Sequence, residues 1–338
     1  MLTENKLISY IKGLGFDIVG FSHPMVSEKY LVRAKQQQNN KKLYPRKAEI
    51  IDYIDVSKLI PNPQLIISVG LSYYQKNQEK KGALLGYYSK SSYGLDYHQV
   101  IYKKLEQIIT YLQLFQPNLQ YYTSCDTKVL DDRYFAYLCG NGFYGRNTMI
   151  INEEYGSQVF YGTIVCDFKF DFKPVQLIEN KCFTCNLCEI NCPTKSLTNY
   201  ELNYQSCLSY LTQSKKLVLP SLIGNSIYGC DLCNDICPYN TGVKETDVFV
   251  PDQGYIELIS LIRMSNREYQ DFFGMKSLRW LNKNIIKKNA ILCLGNHLTE
   301  YQEEITEFAK EIISQNPSKL LEDAFAYILA GSESCEKI

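Results

Sequence analysis

The sequence has 338 residues, of which 45% are hydrophobic and 21% are charged, as is typical of a globular protein. Its 36 Lys and Arg balance 36 Asp and Glu, so the overall charge indicates no anionic partner, and a nucleic-acid surface would have to be a local patch. No run approaches the roughly 20 apolar residues that cross a bilayer, and the acidic N-terminal residues do not resemble a signal peptide, so we expect a cytoplasmic protein with no membrane partner.

Residues 1–175 mix strand and helix patterns. Residues 64–70 and 158–165 are short apolar runs typical of strands, and residues 100–114 carry apolar side chains at helical spacing. This mixture predicts an α+β or α/β layer structure for the first 175 residues.

Two cysteine runs mark residues 176–245 as a separate module. The first run has the spacing x2-x2-x3 and the second x2-x3, and both end in Cys-Pro. Their cysteines are Cys182, Cys185, Cys188 and Cys192 in the first run, and Cys230, Cys233 and Cys237 in the second. The first spacing is that of bacterial ferredoxins, in which the fourth cysteine of a run binds the other of two [4Fe–4S] clusters.

Two such clusters need eight thiolates, and Cys207, between the runs, completes the set. We therefore assign one cluster to Cys182, Cys185, Cys188 and Cys237, and the second cluster to Cys192, Cys207, Cys230 and Cys233. A structural zinc site is the alternative for CxxC pairs, although zinc usually takes two separated pairs. The other five cysteines stand alone and are predicted to be buried small side chains.

Beyond about residue 246 the pattern is helical. Residues 284–298 and 303–313 predict a packed helix pair that resembles one HEAT-like repeat. The predicted fold is therefore α+β, with an α/β-type N-terminal domain (1–175), an inserted ferredoxin-like module (176–245) and a helical HEAT-like region (246–338).

Several longer motifs resemble the epoxyqueuosine reductase family. In the cysteine module these are CFTCNLCEINCPTKSL, CLSYLTQ and YGCDLCNDICPYN, and upstream they are GLDYH, DDRYFAYLCGNGFYGRNTMII and GSQVFYGTIVCD. They occur in the family's order, and the resemblance extends over essentially the whole chain.

The resemblance implies a cobalamin-dependent enzyme that reduces epoxyqueuosine to queuosine at the wobble position of tRNA. A low-potential electron donor would feed two [4Fe–4S] clusters, and we expect a monomer. Two alternatives remain open: a corrinoid and iron–sulfur reductase of a small molecule, similar to the reductive dehalogenases, and a non-enzymatic electron-transfer protein.

The same resemblance implies site residues. Asp132 is the predicted general acid and a cobalamin contact, with Asp131 as the alternative acid and a helix cap as the plainer role for Asp132. The other predicted cobalamin contacts are Gly156, Ser157, Ser209, Gln213 and Lys216. His98, in the GLDYH motif, is expected to be structural and not a cobalt ligand.

A basic segment without any acid is the predicted tRNA surface. Its cationic residues are Lys276, Arg279, Lys283, Lys287 and Lys288. Such a patch would bind phosphates, although a solvated helix face is the alternative. Trp280, within this segment, is predicted to be a core anchor, with base stacking as the alternative.

Overall fold

A computed structural model describes residues 2–39, 49–76, 82–173, 175–249 and 252–330. Within these ranges, no helix is both long and apolar enough to cross a bilayer. The isolated cysteines that the structure describes are buried, as predicted: Cys125, Cys139, Cys166 and Cys293. Cys335 lies outside the described residues.

The N-terminal part of the described chain is built on an antiparallel sheet flanked by helices. Its strands are β1 (Ile18–Ser22), β2 (Leu65–Ser72), β3 (Leu85–Tyr88), β4 (Tyr121–Ser124), β5 (Phe143–Tyr144), β6 (Ile150–Ile151) and β7 (Val159–Cys166). Its helices are α1 (Glu4–Gly13), α2 (Glu28–Asn39), α3 (Tyr97–Gln113) and α4 (Asp132–Leu138). The predicted strands and helix of this part are confirmed as β2, β7 and α3.

The main sheet has the strand order β1-β2-β7-β4, and every neighbouring pair is antiparallel. Strand β2 is buried along its whole length because helices cover both faces of the sheet. Leu65 and Ile67 share a core with α1 and α3, whereas Ile66 packs with α4 on the opposite face. The α+β prediction therefore holds, but the main sheet of the described residues is not the parallel sheet implied by an α/β-type domain, because all three of its strand pairs are antiparallel.

The cysteine module consists of very short elements. They are α5 (Leu187–Ile190), β8 (Leu197–Thr198), β9 (Glu201–Leu202), α6 (Leu208–Leu211), α7 (Pro220–Ile223), β10 (Ser226–Tyr228) and α8 (Leu232–Asp235). Several of its large apolar side chains are exposed, including Phe183 and Ile190. A segment with so little apolar burial needs another source of stability, which the two groups of cysteines can supply by holding clusters.

The C-terminal part is helical, as predicted. It contains β11 (Tyr255–Glu257), α9 (Leu258–Arg263), α10 (Asn266–Phe273), α11 (Lys283–Leu294), α12 (Leu298–Ser314) and α13 (Lys319–Leu329). β3 lies between β10 and β11 in a small sheet, and α11, buried from Ile285 to Leu294, packs in the same apolar core as β3 and β10. The predicted domain boundaries and the HEAT-like assignment stay predictions, and this shared core crosses both boundaries.

Candidate functional site

The structure brings the eight cysteines of the module together as two groups of four, with all eight thiols free of disulfides. One group contains Cys182, Cys185, Cys188 and Cys237, which together line a single cavity of about 380 Å³. In the other group, the thiols of Cys192, Cys207, Cys230 and Cys233 lie within electrostatic reach of one another. These groups match the two sets assigned from the sequence.

The spacing of the thiols separates the two metal hypotheses. Among the described residues, no three Cys, His, Asp or Glu side chains come close enough to share one metal ion. A tetrahedral zinc ion, with Zn–S bonds of about 2.3 Å, requires four sulfurs nearly in contact. The spacing of the cysteine runs and the cavity that one group of four thiols shares favour clusters, which fill the space between four thiolates.

Each group receives hydrogen bonds from the surrounding chain. The Arg146 N–H donates to Cys182 Sγ at 3.5 Å, and the Ser196 N–H donates to Cys192 Sγ at 3.3 Å. The Arg146 guanidinium also pairs with Glu189 at 3.1 Å. Because hydrogen bonds to cluster sulfurs and nearby positive charge raise reduction potentials, Arg146 is positioned to tune the first cluster and Ser196 the second.

The second group opens onto a cleft of about 550 Å³ between the cysteine module, β3 and the C-terminal part. Cys230 lines the cleft, together with four tyrosines and three glycines: Tyr87, Tyr88, Tyr93, Tyr228, Gly224, Gly229 and Gly254. Gly229 has φ +70°, and a Cβ there would lie 2.5 Å from Ser89 Cβ. Glycine is therefore required where this wall of the cleft passes closest to β3.

Asp132 is inside the protein, with only 8% of its surface exposed. Its carboxylate accepts hydrogen bonds from Thr163 Oγ1 at 2.5 Å, Ser124 Oγ at 3.0 Å and the Asp126 N–H at 2.7 Å. Burial raises the pKa of Asp132 to about 7, against the effect of these hydrogen bonds. The residue that caps α4 is Asp131, whose Oδ1 accepts from the Tyr134 N–H at 3.1 Å. Asp132 thus ties the loop after β4 to the sheet and does not line the cleft beside Cys230.

Asp126, on that same loop, was missed by the sequence reasoning. Its backbone has φ +59°, which turns the chain sharply after β4, and its side chain is 68% exposed. The Tyr97 hydroxyl donates to Asp126 Oδ2 at 2.7 Å, and His98 Nε2 lies 4.0 Å from the same oxygen. Positive φ in a non-glycine residue is uncommon outside turns and functional sites. No sequence pattern reveals it, although an Asp directly after a strand is a usable signal.

His98 connects Asp126 with a second acid. Its Nδ1 lies 2.7 Å from Asp96 Oδ1, and its Nε2 is buried without a hydrogen-bond partner in the described chain. If Nδ1 donates its proton to Asp96, Nε2 is left free to exchange a proton with Asp126. The structural role that the sequence predicts for His98 stays a prediction, and its ring connects the two carboxylates.

Two of the predicted cobalamin contacts lie in a buried segment. Gly156 and Ser157 are buried, and the Ser157 N–H and hydroxyl are bonded to Asn240 and Asn234 respectively. The segment packs against the cysteine module, and the assignment of these two residues as cobalamin contacts stays a prediction. Among the remaining three, Gln213 donates to the Ser209 carbonyl at 3.0 Å and Lys216 is exposed, so these stay predictions.

The predicted tRNA surface is smaller than its charge suggests. Lys287 and Lys288 are 7% and 0% exposed, and their ammonium groups donate to backbone carbonyls, so neither reaches phosphate and both predictions are wrong. Lys276 is paired with Asp252 inside the protein. Arg279, with 46% of its side chain exposed, and the half-buried Lys283 are the cations left to meet a ligand.

Lys288 has a structural role instead. Its Nζ donates to the carbonyls of Ser214 at 3.1 Å and Lys216 at 2.9 Å, and burial lowers its pKa to about 8. Lys288→Met should leave those carbonyls unpaired and lower the free energy of unfolding by about 1–3 kcal/mol, as measured by urea unfolding without oxygen. The salt dependence of tRNA binding should be the same in this variant. A weaker salt dependence would instead indicate that Lys288 contacts an RNA phosphate.

Two family models match the chain. The model described as "4Fe-4S double cluster binding domain" matches residues 181–240, and the model described as "Epoxyqueuosine reductase QueG, DUF1730" matches residues 54–127. The first match covers both groups of cysteines. The second ends just after the loop residue Asp126.

Curated relatives extend the similarity over most of the chain. The Listeria monocytogenes epoxyqueuosine reductase is 34% identical over 290 residues, covering 82% of this chain and 70% of the relative. The Bacillus subtilis enzyme of that name is 32% identical over 307 residues, covering 87% and 79%. The Staphylococcus aureus enzyme is 30% identical over 306 residues, covering 87% and 80%.

Solved structures show the same fold. An epoxyqueuosine reductase bound to an epoxyqueuosine-modified tRNA-Tyr stem loop superposes with a TM-score of 0.89 at 29% identity, covering 96% of this chain and 89% of that chain. A Bacillus subtilis epoxyqueuosine reductase with a catalytic aspartate loop swung out of the active site has a TM-score of 0.88 at 28% identity, with the same coverage. The Streptococcus thermophilus enzyme has a TM-score of 0.88 at 27% identity, covering 97% and 90%.

Proposed function

The chain belongs to the epoxyqueuosine reductase family, and from this we propose that it reduces the epoxide of epoxyqueuosine in tRNA to form queuosine. The observation that carries the proposal is the continuity of the site. Two groups of four thiols lead to an open cleft, and Tyr228 on the wall of this cleft lies within electrostatic reach of Asp126.

The two clusters supply electrons in a definite order. Cys185 is the exposed cysteine of the first group, whereas Cys230 of the second group lines the cleft. A low-potential donor would therefore reduce the first cluster, and the second cluster would deliver electrons into the cleft. Cys188 and Cys233 lie on α5 and α8, which contact each other, and the two thiols are within electrostatic reach, which supports electron transfer between the two groups.

The cleft is also suited in chemistry to cobalamin. Glycine at position 229 lets the backbone pass close, tyrosines offer flat apolar faces, and Ser89 and Asn225 offer polar groups to the amides at the rim of a corrin. Ser89, Asn225, Tyr228 and Gly229 would hold the cofactor, next to the second cluster. When bound, cobalamin supplies the reductive opening of the epoxide, which protein side chains alone cannot perform.

Proton supply is the task of the protein. Converting an epoxide to an alkene takes two electrons and two protons and releases the oxygen as water. Asp126 is exposed beside the cleft and would donate the proton to the departing oxygen, while the Asp96–His98 pair would return a proton to Asp126. Asp132 acts through the Asp126 N–H by fixing the loop, so we assign the acid to Asp126 and a positioning role to Asp132.

The substrate is an RNA loop and not a free nucleoside in this proposal. The relative bound to a modified stem loop has the same fold as this chain over nearly its whole length. Arg279 lies 3.7 Å from Asp96 and is thus close to the proposed acid. A monomer with an external low-potential electron donor remains the expected state.

An oxygen-free assay tests the function. Protein with both clusters should convert epoxyqueuosine in tRNA to queuosine when cobalamin and a low-potential reductant are present, as followed by mass spectrometry of the digested nucleosides. The corrinoid absorption should remain with the protein after gel filtration. A protein that carries its clusters and retains cobalamin, yet leaves every epoxide intact, would contradict the proposal.

A further inference from the structure

Trp280 is the one tryptophan in the sequence, and 63% of it is exposed. It ends a short 3-10 helix, Ser277–Trp280, whose buried anchor is Leu278 with 0% exposure. The prediction that Trp280 is a core anchor is therefore wrong, since its neighbour occupies the core. Tryptophan is highly buried on average in folded proteins, so an indole this exposed is uncommon.

The indole is held in place although it is exposed. The Ser277 hydroxyl donates to the Ser91 carbonyl at 3.1 Å, which fixes the short helix that carries the ring, and the indole lies near Tyr228 on the wall of the cleft. A ring on a fixed segment loses little conformational freedom when a ligand binds to its face. This is the property of a stacking surface.

The position of Trp280 connects it with the proposed acid. Tyr228 lies within electrostatic reach of both Asp126 and Asp96, and Arg279 Nε is 3.7 Å from Asp96 Oδ2. The Asp96 N–H donates to the Met275 carbonyl at 2.8 Å, which fixes the segment from Met275 to Trp280 against the start of α3. A ligand group on the indole would therefore lie close to the reacting centre.

The neighbours of Trp280 suit a nucleotide. Met275 is 57% exposed and gives an apolar rim, and Arg279, which directly precedes Trp280 in the chain, has 46% of its side chain exposed. A flat ring beside a cation is the pairing with which proteins bind unpaired nucleotides, by stacking on the base and neutralising its phosphate. We name Met275, Arg279 and Trp280 the Trp280 platform.

We propose that Trp280 stacks on an unpaired base of the tRNA loop that flanks the modified nucleoside, and that Arg279 contacts the adjoining phosphate. This inference rests on the proposed function and specifies how that site orients its RNA. Stacking would hold the neighbouring base outside the cleft while the modified base enters it. The wobble nucleoside could then reach Asp126 without the rest of the loop following.

Binding of a labelled, epoxyqueuosine-containing stem loop to the cluster-loaded protein tests the proposal by fluorescence anisotropy. Trp280→Ala should raise the Kd by roughly 5- to 150-fold, the range for loss of one base stack, and Trp280→Phe should recover most of this loss. The dependence of log Kd on log salt should stay the same in both variants. Arg279→Gln should reduce that slope by about 0.7, as expected for one lost phosphate contact in a single strand.

Phe115→Ala provides the matched control. Phe115 is also a partly exposed aromatic residue, at 46%, but it follows the far end of α3, roughly 25 Å from the start of the helix near Asp96. The Kd of the Phe115→Ala variant for the stem loop should equal that of the unchanged protein. Iron content should be equal in all variants.

The outcomes separate this inference from the function it rests on. If the unchanged protein reduces the stem loop but Trp280→Ala binds it equally well, or if Trp280→Phe is as weak as Trp280→Ala, base stacking is overturned. If the unchanged protein binds the stem loop with Trp280-dependent affinity but never reduces it, the proposed function fails while the platform stands.

Discussion

Asp126→Asn should lower the rate of epoxyqueuosine reduction by about 10²-fold or more while leaving both clusters and cobalamin in place. Asparagine keeps the size of the side chain and its contact with the Tyr97 hydroxyl, but it cannot transfer a proton to the departing oxygen. Single-turnover rates on epoxyqueuosine stem loop, with iron content and the corrinoid spectrum as checks, measure the effect.

Asp132→Asn is the informative partner variant. Its amide oxygen can still accept from the Asp126 N–H, so the loop should stay in place and the rate should remain within about tenfold of the unchanged protein. Asp132→Ala should lose more activity, since the Asp126 N–H and the Thr163 hydroxyl would both lose their acceptor. If Asp132→Asn stops the reaction while Asp126→Asn leaves it intact, the acid is Asp132, as the sequence resemblance implied.

Cys207→Ser should remove about half of the iron, leaving roughly four of eight iron atoms per chain. Cys207 precedes α6 and belongs to neither cysteine run, yet its thiol lies near Cys192 and Cys230. Loss of this ligand should destroy the second cluster alone, because the first group contains none of these three cysteines. Iron and acid-labile sulfide analysis of protein purified without oxygen would measure the loss.

Cys293→Ala controls for a general effect of cysteine removal. Cys293 is fully buried in α11 and belongs to neither group, so the variant should keep all of its iron. Full iron retention in Cys207→Ser would show that Cys207 is not a ligand of the second cluster. Loss of all iron would mean that the two clusters do not assemble independently.

The cysteine groups could be predicted because the number of residues between neighbouring cysteines limits which thiols can bind the same cluster. Short gaps and the terminal Cys-Pro restrict which thiols can meet, and the total of eight leaves Cys207 as the completing ligand. Strand β2 was similarly predictable. A strand covered by helices on both faces is buried at every position, so its sequence is a continuous apolar run.

The acid could not be predicted with the same success, because its position depends on contacts between distant residues. Asp126 is placed by a positive φ and by Tyr97 and His98, almost thirty residues earlier in the chain. Asp132 looked more suitable because it begins a helix within the longest motif. Its three hydrogen bonds, including one from Thr163 on β7, become visible only in the folded sheet.

The prediction that Lys287 and Lys288 belong to a tRNA-binding surface failed for a related reason. Charge counted along the chain does not report burial, and α11 lies inside the C-terminal core with Lys287 and Lys288 on it. Both lysines satisfy carbonyls at the ends of neighbouring segments, which long flexible side chains can reach from a buried helix. Trp280 was assigned to the core on residue type, whereas Leu278 fills that place.

The most direct test of the account uses the electrons stored in the protein itself. Protein with cobalamin and both clusters reduced, freed of excess reductant, is mixed without oxygen with an excess of epoxyqueuosine stem loop, and the nucleosides are analysed by mass spectrometry. Two clusters holding one electron each supply the two electrons that one epoxide requires. The yield should therefore exceed that of the same protein with oxidised clusters by about one queuosine per chain, and Cys207→Ser should show almost no such increase. Bound stem loop whose epoxide survives in the presence of two fully reduced clusters would contradict the account.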